Sequence, residues 1–103
     1  MNARLTRYEG GAPDAIQENL QRKKHVLPTE PGQTEGMRGA VFLTDRQTGT
    51  IVVISLWDDE DAMRGSEDAA IRVREEVTGP GETATAEHYE VALLEIAQES
   101  PGI

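Results

Sequence analysis

His25 and His88 are the side chains of this chain whose ordinary pKa lies nearest neutrality, and so its natural proton acceptors. A base of that strength can deprotonate a phenol or enol, leaving an anion that must be stabilised until dioxygen takes an electron. His25 follows Lys23 and Lys24 near the expected end of a helix, where stabilising the helix dipole is the competing role. His88 precedes Tyr89 on an expected strand, where a structural role competes. Trp57 is the sole tryptophan. It can wall a ligand cavity and stack on an aromatic molecule, or close the core at the end of a strand. Arg4 and Arg38, on expected strands, can offer cationic hydrogen bonds to an anionic intermediate, with surface or interface ion pairs as the alternative. Tyr8 shares the face of Arg4 and reads the same way.

Other constellations exclude chemistry. Cysteine is absent, which removes disulfides, thiolate metal sites and Cys nucleophiles together. The acidic run Asp58-Asp59-Glu60-Asp61 invites a metal, yet consecutive positions at a helix start point different ways and no His accompanies them. Helix capping is the better reading. Gly10-Gly11 and Gly79-Pro80-Gly81 lack the strand-to-helix spacing of a dinucleotide fingerprint, so they punctuate. No Ser-His-acid order stands out. No metal and no cofactor is expected.

Six elements must position these side chains. Residues 2–9 alternate, with Ala3 and Leu5 on one face and Arg4, Thr6 and Tyr8 on the other, as a strand does. Pro13 marks a helix entry, and Ile16, Leu20 and Leu27 form its apolar stripe, with the Lys23 and Lys24 stems filling the gap. Pro28 ends it, and a loop rich in Gly and Pro follows. Residues 37–44 read as a strand with Met37, Val41 and Leu43 on one face and Ala40 and Phe42 on the other. A polar turn ending in Gly49 leads to Thr50–Trp57, which is apolar on both faces. One helix is expected over Ala62–Val77, with Met63, Ala69, Ala70, Val73 and Val77 inward and Ser66 among them. A long alternating stretch, Thr85–Ile96, reads as the last strand.

The order is βαββαβ, a ferredoxin-like α+β fold with an antiparallel sheet and both helices on one face. Residues 1–97 form one expected domain and residues 98–103 a flexible tail. Aromatic residues are only 4% of the chain, so aliphatic packing must carry the burial. With both helices on one face, the apolar second face of Thr50–Trp57 needs a cover. A second copy of the same sheet is the simplest one, which predicts a homodimer. The balance of 19 acidic against 10 basic residues, a net charge of −9, disfavours nucleic acid and anionic membrane surfaces as partners. Without an apolar run of spanning length or an apolar signal core, the expected location is the cytoplasm.

Several segments carry a family resemblance: Leu43–Gly49, the strand end Ile54-Ser55-Leu56-Trp57, the following Asp58–Met63, and Glu90-Val91-Ala92 after Tyr89. Together they resemble the antibiotic-biosynthesis-monooxygenase-like proteins of the dimeric α/β-barrel superfamily. The resemblance implies a homodimer with facing sheets, helices outside, and a cavity between sheet and helices in each subunit. It also implies a cofactor-independent monooxygenase-like protein that binds a small aromatic molecule. The haem-degrading branch uses an Asn on the first strand with a Trp and a His on the second helix. Asn2 stands near the first strand here, but Ala62–Val77 contains neither Trp nor His, which argues against haem degradation. No catalytic set matches position by position, so a non-enzymatic dimeric ligand-binding or stress-associated module is the alternative expectation.

Overall fold

The computed structural model describes residues 1–24 and 35–97. His25, the Leu27–Pro28 helix end, most of the following loop and the expected tail lie outside the described residues. The first strand, β1 (Asn2–Glu9), is followed by a 3-10 turn at Pro13–Ala15 and helix α1 (Ile16–Lys24). Strands β2 (Met37–Asp45) and β3 (Thr50–Trp57) come next. Helices α2 (Glu60–Gly65) and α3 (Glu67–Val77) lead to β4 (Thr83–Glu90). The four strands pair antiparallel in the order β2-β3-β1-β4, which is the ferredoxin-like arrangement expected from the sequence. Tyr8 and Ile51 from the sheet meet Ile16 of α1 and Val77 of α3 in one buried cluster, so both helices cover the same face. No described helix is long and apolar enough to cross a membrane.

Four details differ from expectation. The single helix over Ala62–Val77 is two, broken at Ser66. The Ser66 hydroxyl donates to the Met63 carbonyl (2.7 Å), and Arg4 Nη2 donates to the same carbonyl (2.8 Å) and to Ser66 Oγ (2.8 Å). A strand arginine therefore enters the break and satisfies backbone that a continuous helix would have used itself. In β2, the pairing shifts between Met37 and Gly39, leaving Arg38 as the extra residue of a bulge. The bulge reverses the alternation, so Met37 joins Ala40 and Phe42 on the helix side instead of Val41 and Leu43. In α1, Lys23 is buried and Lys24 is exposed, so only one of the two lysines belongs to the inner stripe.

The last strand also stops early. Its pairing with β1 ends at Asn2 opposite Glu90, and Val91 N–H adds only one bond to the Met1 carbonyl (2.9 Å). Beyond that point β1 supplies no further partner, and residues 91–97 run on without secondary structure. The β2–β3 turn depends on Gly49 at φ +79°. A Cβ there would overlap the backbone of Gly11, so the turn docks directly onto the chain after β1.

Candidate functional site

The helix side of the sheet is not packed solid. Alternation along β1 aims Arg4, Thr6 and Tyr8 at the helices, and β3 aims Val53, Ser55 and Trp57 the same way. Against them stand Lys23 of α1 and Ala69, Ala70, Val73 and Arg74 of α3. The two alanines are too small to fill the gap. A cavity of about 110 Å³ results, which the described residues do not fully enclose. An engineered apolar cavity of roughly 150 Å³ accepts benzene, so this space is somewhat smaller than one known to hold a single ring.

Trp57 forms one wall. It is 1% exposed, its indole N–H donates to Ser55 Oγ (2.9 Å), and the Arg4 guanidinium lies 5.5 Å from its ring centre. The indole is thus fixed by a hydrogen bond and a cation–π contact. Arg4 itself is anchored. Besides its contacts at the helix break, it pairs with Glu67 Oε2 (2.9 Å), and Glu67 accepts a second contact from His88 Nε2 (3.0 Å). Partial burial would raise the Glu67 carboxyl, but the His88 hydrogen bond and the Arg4 charge outweigh it and hold the group below its ordinary value.

Tyr8 is 4% exposed, and Lys23 Nζ sits 4.3 Å from its ring centre. That ammonium is paired with Glu82 Oε1 (2.9 Å) and donates to the carbonyls of Asn19 (3.2 Å) and Val77 (3.3 Å). Burial pushes the Tyr8 phenol up to about 12; the Arg74 charge lowers it partly and Glu82 raises it. Tyr8 is therefore a neutral hydrogen-bond donor at physiological pH and not a base. Among the described residues the cavity wall carries Arg4, Lys23 and Arg74, with no aspartate, glutamate or histidine. Two of these cations are paired with carboxylates behind the wall, Arg4 with Glu67 and Lys23 with Glu82, which leaves Arg74 without an ion-pair partner among the described residues.

The structure brings together Trp57, Tyr8 and Arg4 of the residues picked from sequence. It separates two others. Arg38 is the bulged residue of β2, exposed and paired with Asp58 outside the cavity. His88 is exposed on β4, held by Glu67, and borders a separate polar hollow with Asn2, Glu60 and Arg64. His25 lies outside the described residues. Asp59 caps α2, accepting from Ala62 N–H (2.8 Å), which accounts for its place in the acidic run.

Lys23, Glu82 and Arg74 are absent from the sequence reading as site residues. A signal for Arg74 existed: it stands four residues after Ala70 and three before Val77, a charge on the inward stripe. Glu82 offered none, because nothing local shows that a loop carboxylate will fold back to accept Gly79 N–H (2.8 Å) and Lys23.

No protein-family model matches the chain, and no curated protein is similar enough to match it. Solved structures share its fold. A dimeric ferredoxin-like protein from an uncultured marine organism superposes with a TM-score of 0.70 at 9% identity, covering 94% of this chain and 92% of that one. The haem-degrader MhuD of Mycobacterium tuberculosis, solved with two haems in its active site, gives 0.65 at 20% identity over 94% and 100%. A Streptomyces coelicolor monooxygenase in complex with nanaomycin D gives 0.63 at 14% identity over 92% and 92%. The chain thus has the fold of the antibiotic-biosynthesis-monooxygenase-like proteins. A haem does not fit the described cavity: the space is about 110 Å³, far below the roughly 300–1,000 Å³ of sites for larger ligands, and no described lining residue is a histidine.

Proposed function

We propose that this protein is a homodimer that binds a small aromatic molecule in the cavity walled by Trp57, and that it acts there as a cofactor-independent monooxygenase-like protein. The cavity between sheet and helices carries the reading, because a solidly packed core around Trp57 would have left no room for a ligand. Of the cations lining the space, Arg4 and Lys23 are ion-paired and Arg74 has no ion-pair partner among the described residues, so Arg74 is the charge that favours an electron-rich ring in its anionic form, the form that can donate an electron to dioxygen. Tyr8, as a neutral phenol, can donate to the same oxygen anion.

One observation favours a second reading, a binding module without catalysis. Among the described residues no histidine or carboxylate lines the cavity, so a substrate must arrive already ionised or not react. Two measurements on the purified protein separate these outcomes. Quenching of the single tryptophan by hydroxylated aromatics reads binding, and oxygen uptake with the same compounds reads turnover. Binding with uptake that falls in Trp57→Phe supports the enzyme. Binding without uptake supports the module, and no quenching across the series removes both.

A further inference from the structure

His88 lies outside the cavity but is linked to its wall through one atom. Glu67 Oε2 accepts from Arg4 Nη2 (2.9 Å) and meets His88 Nε2 (3.0 Å) as well. Arg4 is buried, and its guanidinium lies 5.5 Å from the centre of the Trp57 ring. His88 is exposed, and it stands directly opposite Arg4 in the pairing of β4 with β1. Imidazole, carboxylate, guanidinium and indole thus form a continuous line from solvent to the cavity wall. Partial burial would raise the Glu67 carboxyl, yet the His88 bond and the Arg4 charge keep it low, so it is ionised at neutral pH. An ionised carboxylate only accepts, so Nε2 carries a hydrogen whether the ring is neutral or cationic. The proton that His88 gains or loses is then the one on Nδ1. The Glu67 contact survives in both states, and only its charge changes.

We propose that His88 is a proton-operated control on the cavity wall: a proton taken up at Nδ1 draws on the charge of Glu67 and leaves Arg4 less compensated beside Trp57. A charge-assisted hydrogen bond is about twice as strong as a neutral one, so the cationic ring competes with Arg4 for an oxygen that the neutral ring merely shares. Arg4 is not free to follow the carboxylate, because the same Nη2 donates to the Met63 carbonyl and Ser66 Oγ at the helix break. The groups facing His88 are Glu67 from α3, Arg4 from β1, Glu60 and Arg64 from α2, and Tyr89 and Glu90 from its own strand, with Met1 bordering the same hollow. Glu60 is paired with Arg64 (2.7 Å), and Glu67 is the carboxylate in contact with the imidazole. The control needs no ligand in the cavity, so it stands apart from the function proposed above.

Trp57 is the sole tryptophan, so its signals report on the wall directly. The test titrates the intact protein from about pH 5 to pH 8, the range in which an imidazole ordinarily changes its charge. The Trp57 indole N–H and the His88 ring are followed by NMR, with Trp57 fluorescence alongside. In the wild type the indole resonance is expected to shift in one step, at the midpoint of His88. His88→Gln keeps a neutral donor for Glu67 and should lose the step. Glu67→Gln should leave His88 titrating and silence Trp57. His25→Gln, which removes the chain's other imidazole, should keep the step. A Trp57 signal that stays flat while His88 titrates overturns the proposal. A step that persists in His88→Gln, or is lost in His25→Gln, also overturns it, because another group such as the Met1 amine or His25 would then be responsible. A step that survives Glu67→Gln overturns the link through the carboxylate. The wild type and His88→Gln, altered only at an exposed site, decide the matter even if Glu67→Gln does not fold.

Discussion

Lys23 and Glu82 show how a single pair can be costly to break without being a source of stability. Their side chains are 2% and 0% exposed, so both ions have given up water. The carboxylate recovers some of that loss from Gly79 N–H, and the ammonium from two carbonyls. Lys23→Met leaves an uncompensated buried carboxylate and is expected to cost about 3–5 kcal/mol in urea unfolding. Adding Glu82→Gln removes that charge yet keeps an oxygen for Gly79, so the double variant should recover a large part of the loss. Equal stability of the single and double variants would show that packing, not charge, sets the cost. Tyr8, beneath Lys23, ties the same place to alkaline pH. Its pKa is raised to about 12 from an unfolded value near 10. The neutral phenol is the favoured form in the folded state, so this contribution is whole below the unfolded value and is lost as pH rises through the folded one. Tyr8→Phe should flatten the alkaline fall in the urea midpoint between about pH 10 and 12. A slope unchanged by the substitution would place the alkaline sensitivity elsewhere.

The break between α2 and α3 is the element on which the Trp57 end of the cavity depends. Arg4 reaches Met63, Ser66 and Glu67 through one nitrogen, so the strand, the break and the start of α3 share an anchor. Glu67 makes that anchor sensitive to acid. Its folded pKa is depressed, so the pairing contributes fully above the unfolded carboxylate value, about 4.3, and is lost as pH falls through the lower folded value. Glu67→Gln should therefore be less stable than the wild type at neutral pH, with the gap in urea midpoint closing toward pH 3. A gap constant with pH would remove the charge from this account. These elements also mark the limits of sequence reading. The strands announced themselves through alternation, and the alternation of β1 placed Arg4, Thr6 and Tyr8 correctly on the helix side. The helix break did not, because Gly65-Ser66 continues a helical stripe and only a distant arginine makes the interruption favourable. The β2 bulge was hidden for a similar reason: its extra residue is an ordinary Arg38, and only the pairing with β3 reveals the shift. Cavity residues carried by regular patterns were thus legible, and those fixed by long-range ion pairs were not.

At the scale of the whole molecule, no helix among the described residues covers the second face of the sheet. Pairing aligns Val41, Ile54 and Leu5 in one row and Leu43 beside Val52 in the next, all on the side away from the helices. Val41 and Leu43 are 45% and 47% exposed. Beyond β4 the chain adds Leu93 and Ile96, 75% and 81% exposed, on a segment without a strand partner of its own. An antiparallel sheet with one solvated face ordinarily alternates apolar with polar residues, and this one does not. Exposed apolar residues grouped this way, with Arg7 and Glu87 beside them, are the kind of surface that marks an interface. In the proposed homodimer a second copy covers this face symmetrically, sheet against sheet. The homodimer is therefore expected in sedimentation at micromolar concentration, where a single chain would weigh 11.3 kDa. It is also expected in melting, with a midpoint that rises with protein concentration because only association stabilises the folded form in that way. Val41→Glu with Leu43→Glu tests the surface itself. Both sites are open in one subunit, so the charges cost its fold little, but buried between two sheets they would be unpaired. The variant should sediment as a monomer and lose the concentration dependence of its melting. A wild type that is already monomeric at tens of micromolar would leave the doubly apolar β3 without its cover and overturn this account.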